Sequence, residues 1–345
     1  MSRPEKPSSA VTVTRGNGVE AWHEASLCVV GKGVGITHTY GDPELVCLAR
    51  SSIKPFQALA LVVSGAADRF GFDARQLALA CASHNGTDQH AAVARSMLTQ
   101  AEVPESALGC GSHLPIFRRL ADEPAQHGEE AEPLRHNCSG KHAGFLALCK
   151  HLGEPLERYL DPASQTQTLV RDLLALACDV DPSALLSGTD GCSAPNYALP
   201  LSALALGMLR LAHPDSAPPQ LQSALTRLRD AMLAHPELVS GEGRFDLDLA
   251  RAFAGNVLCK VGAEGVQLGA FLEPPLAFAL KVHDGAERAK PPLCVSLLQQ
   301  LGLFHEVPAT LLRHQRPLVY NHKKLVTGEI IAHLQLQTRS NEGES

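Results

Sequence analysis

Residues 49–57 read ARSSIKPFQ and open directly onto the apolar run ALALVVSG at 58–65. This stretch divides the chain. Before it, from Val11 to Ala49, the runs VTVTRG, ASLCVVGKG, GITHTYG and LVCLAR are punctuated by Gly and Asp-Pro, the pattern of short strands joined by turns. After it, from Pro55 to about His235, apolar residues recur at helical spacing in FQALALVVSG, ARQLALACAS, DQHAAVARSMLTQA, KHAGFLALCKHL, SQTQTLVRDLLALA, LSALALGMLRLA and LQSALTRLRDAMLA. Beyond Gly243 strands return as NVLCKVG, GVQLGAFL and LAFALKVHDG. A helix is expected over ERAKPPLCVSLLQQLG, and a last strand or extended tail over GEIIAHLQLQT. The expected fold is α/β of the α+β kind. N- and C-terminal strands share one antiparallel sheet, and a mainly helical block packs on it. The two lobes expected are residues 10–54 with 243–335, and residues 55–242, in a single domain over 1–345.

Composition narrows the function classes. At 45% apolar and 19% charged residues the chain has an ordinary globular balance. A net charge of −6 without a clustered Lys/Arg stripe argues against nucleic-acid binding. No apolar run reaches the roughly 18 residues that span a bilayer. MSRPEKPSSAVTV at the start lacks the apolar stretch of a signal peptide, so a cytoplasmic location is expected. In that reducing compartment the ten cysteines are expected to be thiols. Those in LALACAS, LALCKHL and LALACDV read as core residues. Cys138 and Cys192 stand apart, among glycines and polar neighbours.

Ser51 and Lys54 form S-x-x-K, a spacing that on a helix puts both side chains on one face. A serine hydroxyl attacks poorly until a base takes its proton, and a lysine made partly neutral by burial can be that base. The plainer reading is a helix cap with Lys54 reaching to water. Two further signals are weak singly: ASHNG, with Ser83, His84 and Asn85, also reads as a turn, and CKVGAEG, with Lys260 and Gly262, also reads as a strand end. In serine acyl-transfer enzymes S-x-x-K, S-D-N and K-T-G occur in that chain order, and here S-x-x-K, S-x-N and K-x-G do too. The triple points to acyl transfer with a second Ser/Lys pair relaying a proton, and with backbone amides at the helix start holding the oxyanion. Arg50 reads either as a bidentate clamp on a substrate carboxylate or as a surface ion pair.

The segments RHNCSGKHAG (135–144) and SGTDGCSAPNYALP (187–200) each place one cysteine in a glycine-flanked loop. With Lys141 or His142 the two thiolates offer ligands for Zn²⁺, although no C-x-x-C occurs and the spacing is not that of a zinc finger. The alternative is two loop cysteines beside turn glycines. Asp190 reads as a partner for an α-amino group or as an Asx-turn residue.

Taken together, RSSIKPFQ, ASHNG, HNCSGKHAG, TDGCSAPNYALPL and CKVGAEG resemble the rhizobial-type L-asparaginases, also called class 3 or the asparaginase II family, over almost the whole chain. The resemblance implies a fold like serine β-lactamases and glutaminases, hydrolysis of L-asparagine to L-aspartate and ammonia, and a homodimer. It implies two catalytic pairs, Ser51 with Lys54 and Ser83 with Lys260. It also implies a zinc site of Cys138, Lys141 and Cys192 that tunes substrate binding without supplying the nucleophile. The residues expected to touch substrate are Arg50, Asn85, Asn137 and Asp190. Two departures stand out: VEAWHEA (19–25), where the family has a serine at the position of Ala21, and Ser193, where a glycine is common. If that turn requires positive φ, Ser193 is strained. Other readings carried forward are a different serine amidohydrolase of the β-lactamase or glutaminase kind, and a zinc-responsive binding protein.

Overall fold

A computed structural model of the chain describes residues 9–124, 126 and 132–339. Its strands are β1 Val11–Arg15, β2 Gly18–His23, β3 Ala25–Gly31, β4 Gly35–Tyr40, β5 Val46–Leu48, β6 Leu186–Thr189, β7 Pro195–Pro200, β8 Val257–Val261, β9 Val266–Phe271, β10 Leu276–Val282, β11 Leu318–Tyr320, β12 Val326–Ala332 and β13 Gln337–Thr338. The chain is a mixed α/β protein of antiparallel sheets and many helices, as the sequence pattern leads one to expect.

One expectation fails. The terminal strands form two antiparallel sheets rather than one: a six-stranded sheet ordered β13-β4-β3-β10-β9-β8, and a four-stranded sheet ordered β11-β12-β1-β2. The reason lies in β3 and β10, which are apolar on both faces. Cys28, Val30, Ala277 and Ala279 enter the large core shared with the helices. Leu27, Val29, Phe278 and Leu280 enter a second core. A sheet buried on both faces needs a second cover. The helix Lys290–Gln300 and the four-stranded sheet supply it through Leu293, Leu297, Val11, Val13 and Ile330. The chain passes from one sheet to the other through Glu24 alone, between β2 and β3.

A second difference is in the helical block. The segment read as a loop at 187–200 contains β6 and β7, which pair with β5 in a small sheet ordered β5-β7-β6. Strands of four and six residues broken by Gly, Asp and Pro show too little alternation to be read from sequence. Only residues 190–194, with Cys192, remain as the turn.

Among the helices, Ala74–Ala80 starts with a capping box in which Asp73 Oδ1 accepts from Gln76 N (3.0 Å) and the Gln76 side chain accepts from Asp73 N (2.8 Å). The helix Ser139–His151 is buried over its first eleven residues, as suits a helix wrapped by others. Two glycines permit the close approaches that bring the motifs together. A Cβ on Gly140 would lie 2.3 Å from Leu79 O, so the helix carrying Lys141 sits directly on the helix that precedes Ser83. A Cβ on Gly262 would lie 2.8 Å from Ala49 O, so the strand end carrying Lys260 packs against the residue before Arg50 and Ser51.

Candidate active site

After the helix Ala74–Ala80, residues 82–86 run alongside residues 239–241. Ser83 N donates to Val239 O (2.9 Å) and Asn85 N to Ser240 O (3.0 Å). This strip presents the Ser83 hydroxyl to lysines from distant parts of the chain. Lys54 Nζ donates to Ser83 Oγ at 3.0 Å, and Lys260 Nζ is hydrogen-bonded to the same oxygen at 2.8 Å. Lys54 also donates to Ala82 O (2.6 Å) and Asn137 O (3.3 Å), so three N–H donors have three acceptors. Lys260 has one further acceptor, Val261 O at 2.8 Å. All three residues are buried. Burial pushes the Lys260 amine well below the ordinary lysine value. The charge of Lys54 adds to this, and Asp246 opposes it. A lysine so shifted is a proton acceptor.

Ser51 is placed differently from the simple Ser51–Lys54 pair read from the sequence. Residues Arg50–Ile53 form a 3₁₀ turn and the α-helix begins at Lys54. The lysine side chain is drawn inward to the carbonyls of Ala82 and Asn137 and to Ser83, rather than to Ser51 Oγ. The Ser51 hydroxyl has no hydrogen-bond partner among the described residues, and its residue is half-buried where Ser83 is buried. Lys54 therefore joins the second serine directly, and the two pairs form one cluster around Ser83.

The backbone before Ser51 is under tension. Arg50 has φ +53°, a conformation that costs a non-glycine residue about 1–3 kcal/mol and persists where neighbours enforce it. Asn196 enforces it here: its Oδ1 accepts from Arg50 N (3.1 Å) and Tyr197 N (2.8 Å). The Arg50 side chain does not present a free fork. Its Nε and Nη2 both donate to Asp190 Oδ1 (3.0 and 2.9 Å), and Nη1 lies 3.8 Å from Glu264. The ion pair to Asp190 uses one edge of the Arg50 guanidinium. Burial alone would raise the Asp190 carboxyl, but Lys141 and Arg50 hold it below the usual range. Asp190 Oδ1 also accepts from Gly191 N (2.7 Å), an Asx contact.

Cys138, Lys141 and Cys192 converge beside this pair. Lys141 Nζ donates to Cys192 Sγ at 3.0 Å. The Cys138 thiol is drawn well below its ordinary value by a hydrogen bond from Cys192; burial opposes this, while the charges of Lys54 and Lys141 assist it. Burial disfavours charge on Lys141, but Cys192 and Cys138 outweigh it and raise the amine. Among the described residues no three His, Cys, Asp or Glu side chains gather to hold a metal ion. A metal on the two thiolates thus requires Lys141. Two sulfurs and a nitrogen suit Zn²⁺ and leave its fourth position open. Next in sequence, His142 bonds Tyr159 OH through Nδ1 (2.8 Å), and its Nε2 is buried without a hydrogen-bond partner among the described residues.

Asn85 does not present a free amide, whereas the Asn137 side chain is engaged only through Oδ1, with His113 Nε2 (3.3 Å) and the Cys138 thiol (3.4 Å). Asn85 Nδ2 donates to Glu242 O (2.8 Å), and Asn85 Oδ1 accepts weakly from Arg244 Nη1 (3.5 Å). Asn137 contributes its carbonyl to Lys54, and its N donates to His113 Nε2 (3.2 Å). His84 bonds Ser139 Oγ (3.0 Å) and accepts from Gly86 N (3.1 Å), and burial pushes it well below the usual histidine value. It pins the Ser83 strip to the start of the helix that carries Lys141. In the VEAWHEA segment, His23 bonds Asp284 (2.6 Å) and Arg288 (3.1 Å). Asp246 and Arg244 were missed in the sequence because no motif marks them, and Asn196, although inside SGTDGCSAPNYALP, carried no role there; their roles come from partners about fifteen to 160 positions away.

A family model described as L-asparaginase II matches residues 11–332. No curated protein matches the chain. A β-lactamase from Mycobacterium bovis is similar in structure at 14% identity and a TM-score of 0.43, over 80% of this chain and 94% of its own. Mglu in its native form in 4.3 M NaCl is similar at 15% identity and a TM-score of 0.45, over 87% of this chain and 66% of its own. Likenesses at these scores carry no weight for fold or chemistry.

Ser193 takes φ +69°, as the sequence pattern led one to suspect, and is exposed. Left-handed backbone costs a non-glycine residue about 1–2 kcal/mol, while glycine loses about 0.4–1 kcal/mol through the unfolded chain. Ser193→Gly is expected to leave stability unchanged or raise it by up to about 1 kcal/mol. A drop in urea-unfolding stability on this substitution would contradict the strain.

Proposed function

The chain belongs to the L-asparaginase II family, and from that premise we propose that it is an amidohydrolase that converts L-asparagine to L-aspartate and ammonia through a serine acyl-enzyme. The observation that carries the reading is the Ser83 hydroxyl held between Lys260 Nζ at 2.8 Å and Lys54 Nζ at 3.0 Å. Such a cluster is suited to acyl transfer, where it can move a proton between two amines through one oxygen.

In this mechanism Ser51 is the nucleophile. Its hydroxyl is the unencumbered one, three residues before Lys54 and displayed by the strained turn at Arg50. A proton passes from Lys54 through Ser83 to Lys260, which leaves Lys54 able to accept the Ser51 proton as Oγ attacks the side-chain amide carbon. The Ser51 backbone amide, which has no hydrogen-bond partner among the described residues, holds the oxyanion. The C–N bond breaks as the relay returns a proton to the departing nitrogen, giving ammonia and an ester on Ser51. Water, deprotonated by the same relay, then attacks the ester and releases aspartate. Asp190, whose Oδ2 has no hydrogen-bond partner among the described residues, is suited to the substrate ammonium. A second reading makes Ser83 the nucleophile, because its oxygen already touches both lysines.

We assign Cys138, Lys141 and Cys192 as ligands for Zn²⁺, which when bound supplies positive charge close to the substrate. The chain's own residues contribute the attacking hydroxyl and the proton path. The sequence expectation of a cytoplasmic homodimer is retained as part of the proposal. No described helix is long and apolar enough to cross a membrane.

Three measurements test these assignments. Ser51→Ala is expected to lower ammonia release from L-asparagine by about 10³-fold or more and to abolish a rapidly quenched acyl adduct on the peptide containing residue 51. Retention of near-wild-type turnover, or an adduct on residue 83, transfers the role to Ser83. The pH profile gives a second test. The neutral amine of Lys260 is the acceptor, so kcat/KM should rise with pH through an ionisation well below 10.5 and be lost as pH falls through it. A flat profile in which Lys260→Met stays active would remove Lys260 from the relay. For the metal, one Zn²⁺ per chain is expected by competition with a chromophoric chelator, with affinity reduced at least tenfold in Cys192→Ser and Lys141→Met. Unchanged affinity in both variants would place the metal elsewhere.

A further inference from the structure

With Arg50 engaged by Asp190, the site needs another cation if it is to hold an amino-acid carboxylate. We propose that Arg244 is that group: the anchor for the α-carboxylate of the substrate. This rests on the reading of the site as one for a small amino-acid amide.

Arg244 precedes the helix Phe245–Ala252, on the loop that runs beside the Ser83 strip. The loop is held there firmly. Asn85 Nδ2 donates to Glu242 O, Asn85 N donates to Ser240 O, and a Cβ on Gly241 would lie 2.5 Å from the Asn85 side chain. The guanidinium is thereby fixed against the residue two positions after Ser83. Its one hydrogen bond among the described residues is the 3.5 Å contact from Nη1 to Asn85 Oδ1, at the limit of such a bond. No carboxylate pairs with it among the described residues.

The surroundings make this unusual. Arg244 is half-buried, and burial lowers its affinity for a proton, with Arg119 acting in the same sense. Its charge also acts on Lys260. Asp246 and Glu287 oppose the shift, yet both are already bound. Asp246 accepts from Val261 N (2.8 Å) and Gln267 Nε2 (3.0 Å). Glu287 pairs with Lys290 (2.6 Å) and accepts from Gly265 N (3.1 Å). Arg119, exposed, has no ion pair of its own among the described residues. Arg244 and Arg119 thus both lack a carboxylate partner among the described residues, and Arg244 lies on the loop hydrogen-bonded to the Ser83 strip. A guanidinium without a direct carboxylate partner is a feature of binding sites whose ligand brings the opposite charge. Four of the five N–H donors of Arg244 are uncommitted, enough for a two-pronged grip on a carboxylate.

The test compares L-asparagine with 3-aminopropanamide, which is asparagine without its α-carboxylate, in the full-length protein and in Arg244→Met and Arg244→Lys. Loss of charge-assisted hydrogen bonds predicts that the ratio of kcat/KM for asparagine to that for 3-aminopropanamide falls about 100-fold in Arg244→Met, mainly through KM for asparagine. Arg244→Lys should fall between, because the charge remains and the fork is lost. A ratio within about threefold of the wild-type value in Arg244→Met overturns the proposal, whether both rates persist or both decline together. Calorimetric titration with L-aspartate gives a readout independent of turnover. If the wild-type protein hydrolyses neither amide, the asparaginase reading falls. Binding of aspartate that is lost in Arg244→Met still supports the carboxylate site, while equal binding in both proteins, or no binding to either, overturns it.

Discussion

Two buried lysine amines share one serine oxygen, and the rest of the site follows from that constraint. Two full positive charges cannot be held so close in a desolvated pocket without a counter-charge. The carboxylate nearest in the field, Asp246, is turned to the amide of Val261 and the side chain of Gln267. Relief comes through loss of a proton: Lys54 has an acceptor for each ammonium donor, and Lys260 is the amine pushed down. A single proton distributed over two amines and a hydroxyl is a base and an acid in one assembly. Lysine serves here where histidine often does, because burial brings its pKa down toward the working range.

The scaffold exists to bring these three groups together and hold them there. Lys260 lies on β8, at the edge of the six-stranded sheet, and Lys54 lies at the start of the first helix. Ser83 stands on a strip between helices. Each is positioned by backbone approach rather than by side-chain packing alone, through the missing Cβ atoms of Gly262 and Gly140. The sheet is rigid because both faces are covered, the one by the helical lobe, the other by the helix Lys290–Gln300 and the four-stranded sheet. The second cover also explains why so many terminal residues are apolar.

Backbone strain occurs on the substrate side as well as at turns elsewhere, such as Glu102 and Asp179. Arg50 and Ser193 both adopt left-handed backbone, and they flank the two ends of one structure: Arg50 is held by Asn196 on β7, and Ser193 closes the turn that carries Cys192. The Arg50–Asp190 ion pair links them. The candidate nucleophile and the candidate metal site are thus connected through the small β5-β7-β6 sheet.

The sequence by itself determined the element types and the chemistry. The shift from strand to helix at residue 55 and back near Gly243 was legible because apolar spacing records burial on one face or one stripe. The serines, lysines and cysteines stood out because S-x-x-K, S-x-N and K-x-G occur in order. Only the tertiary structure decided which serine each lysine touches, that Arg50 is spent on Asp190, that Arg244 is left unpaired, and that the terminal strands split into two sheets. The physical reason is common to all four. Periodicity reports what a residue does along its own element, whereas hydrogen-bond partners and charge compensation depend on groups far away in the chain, 177 positions for Ser83 and Lys260. Such pairings become defined only when the chain has closed on itself.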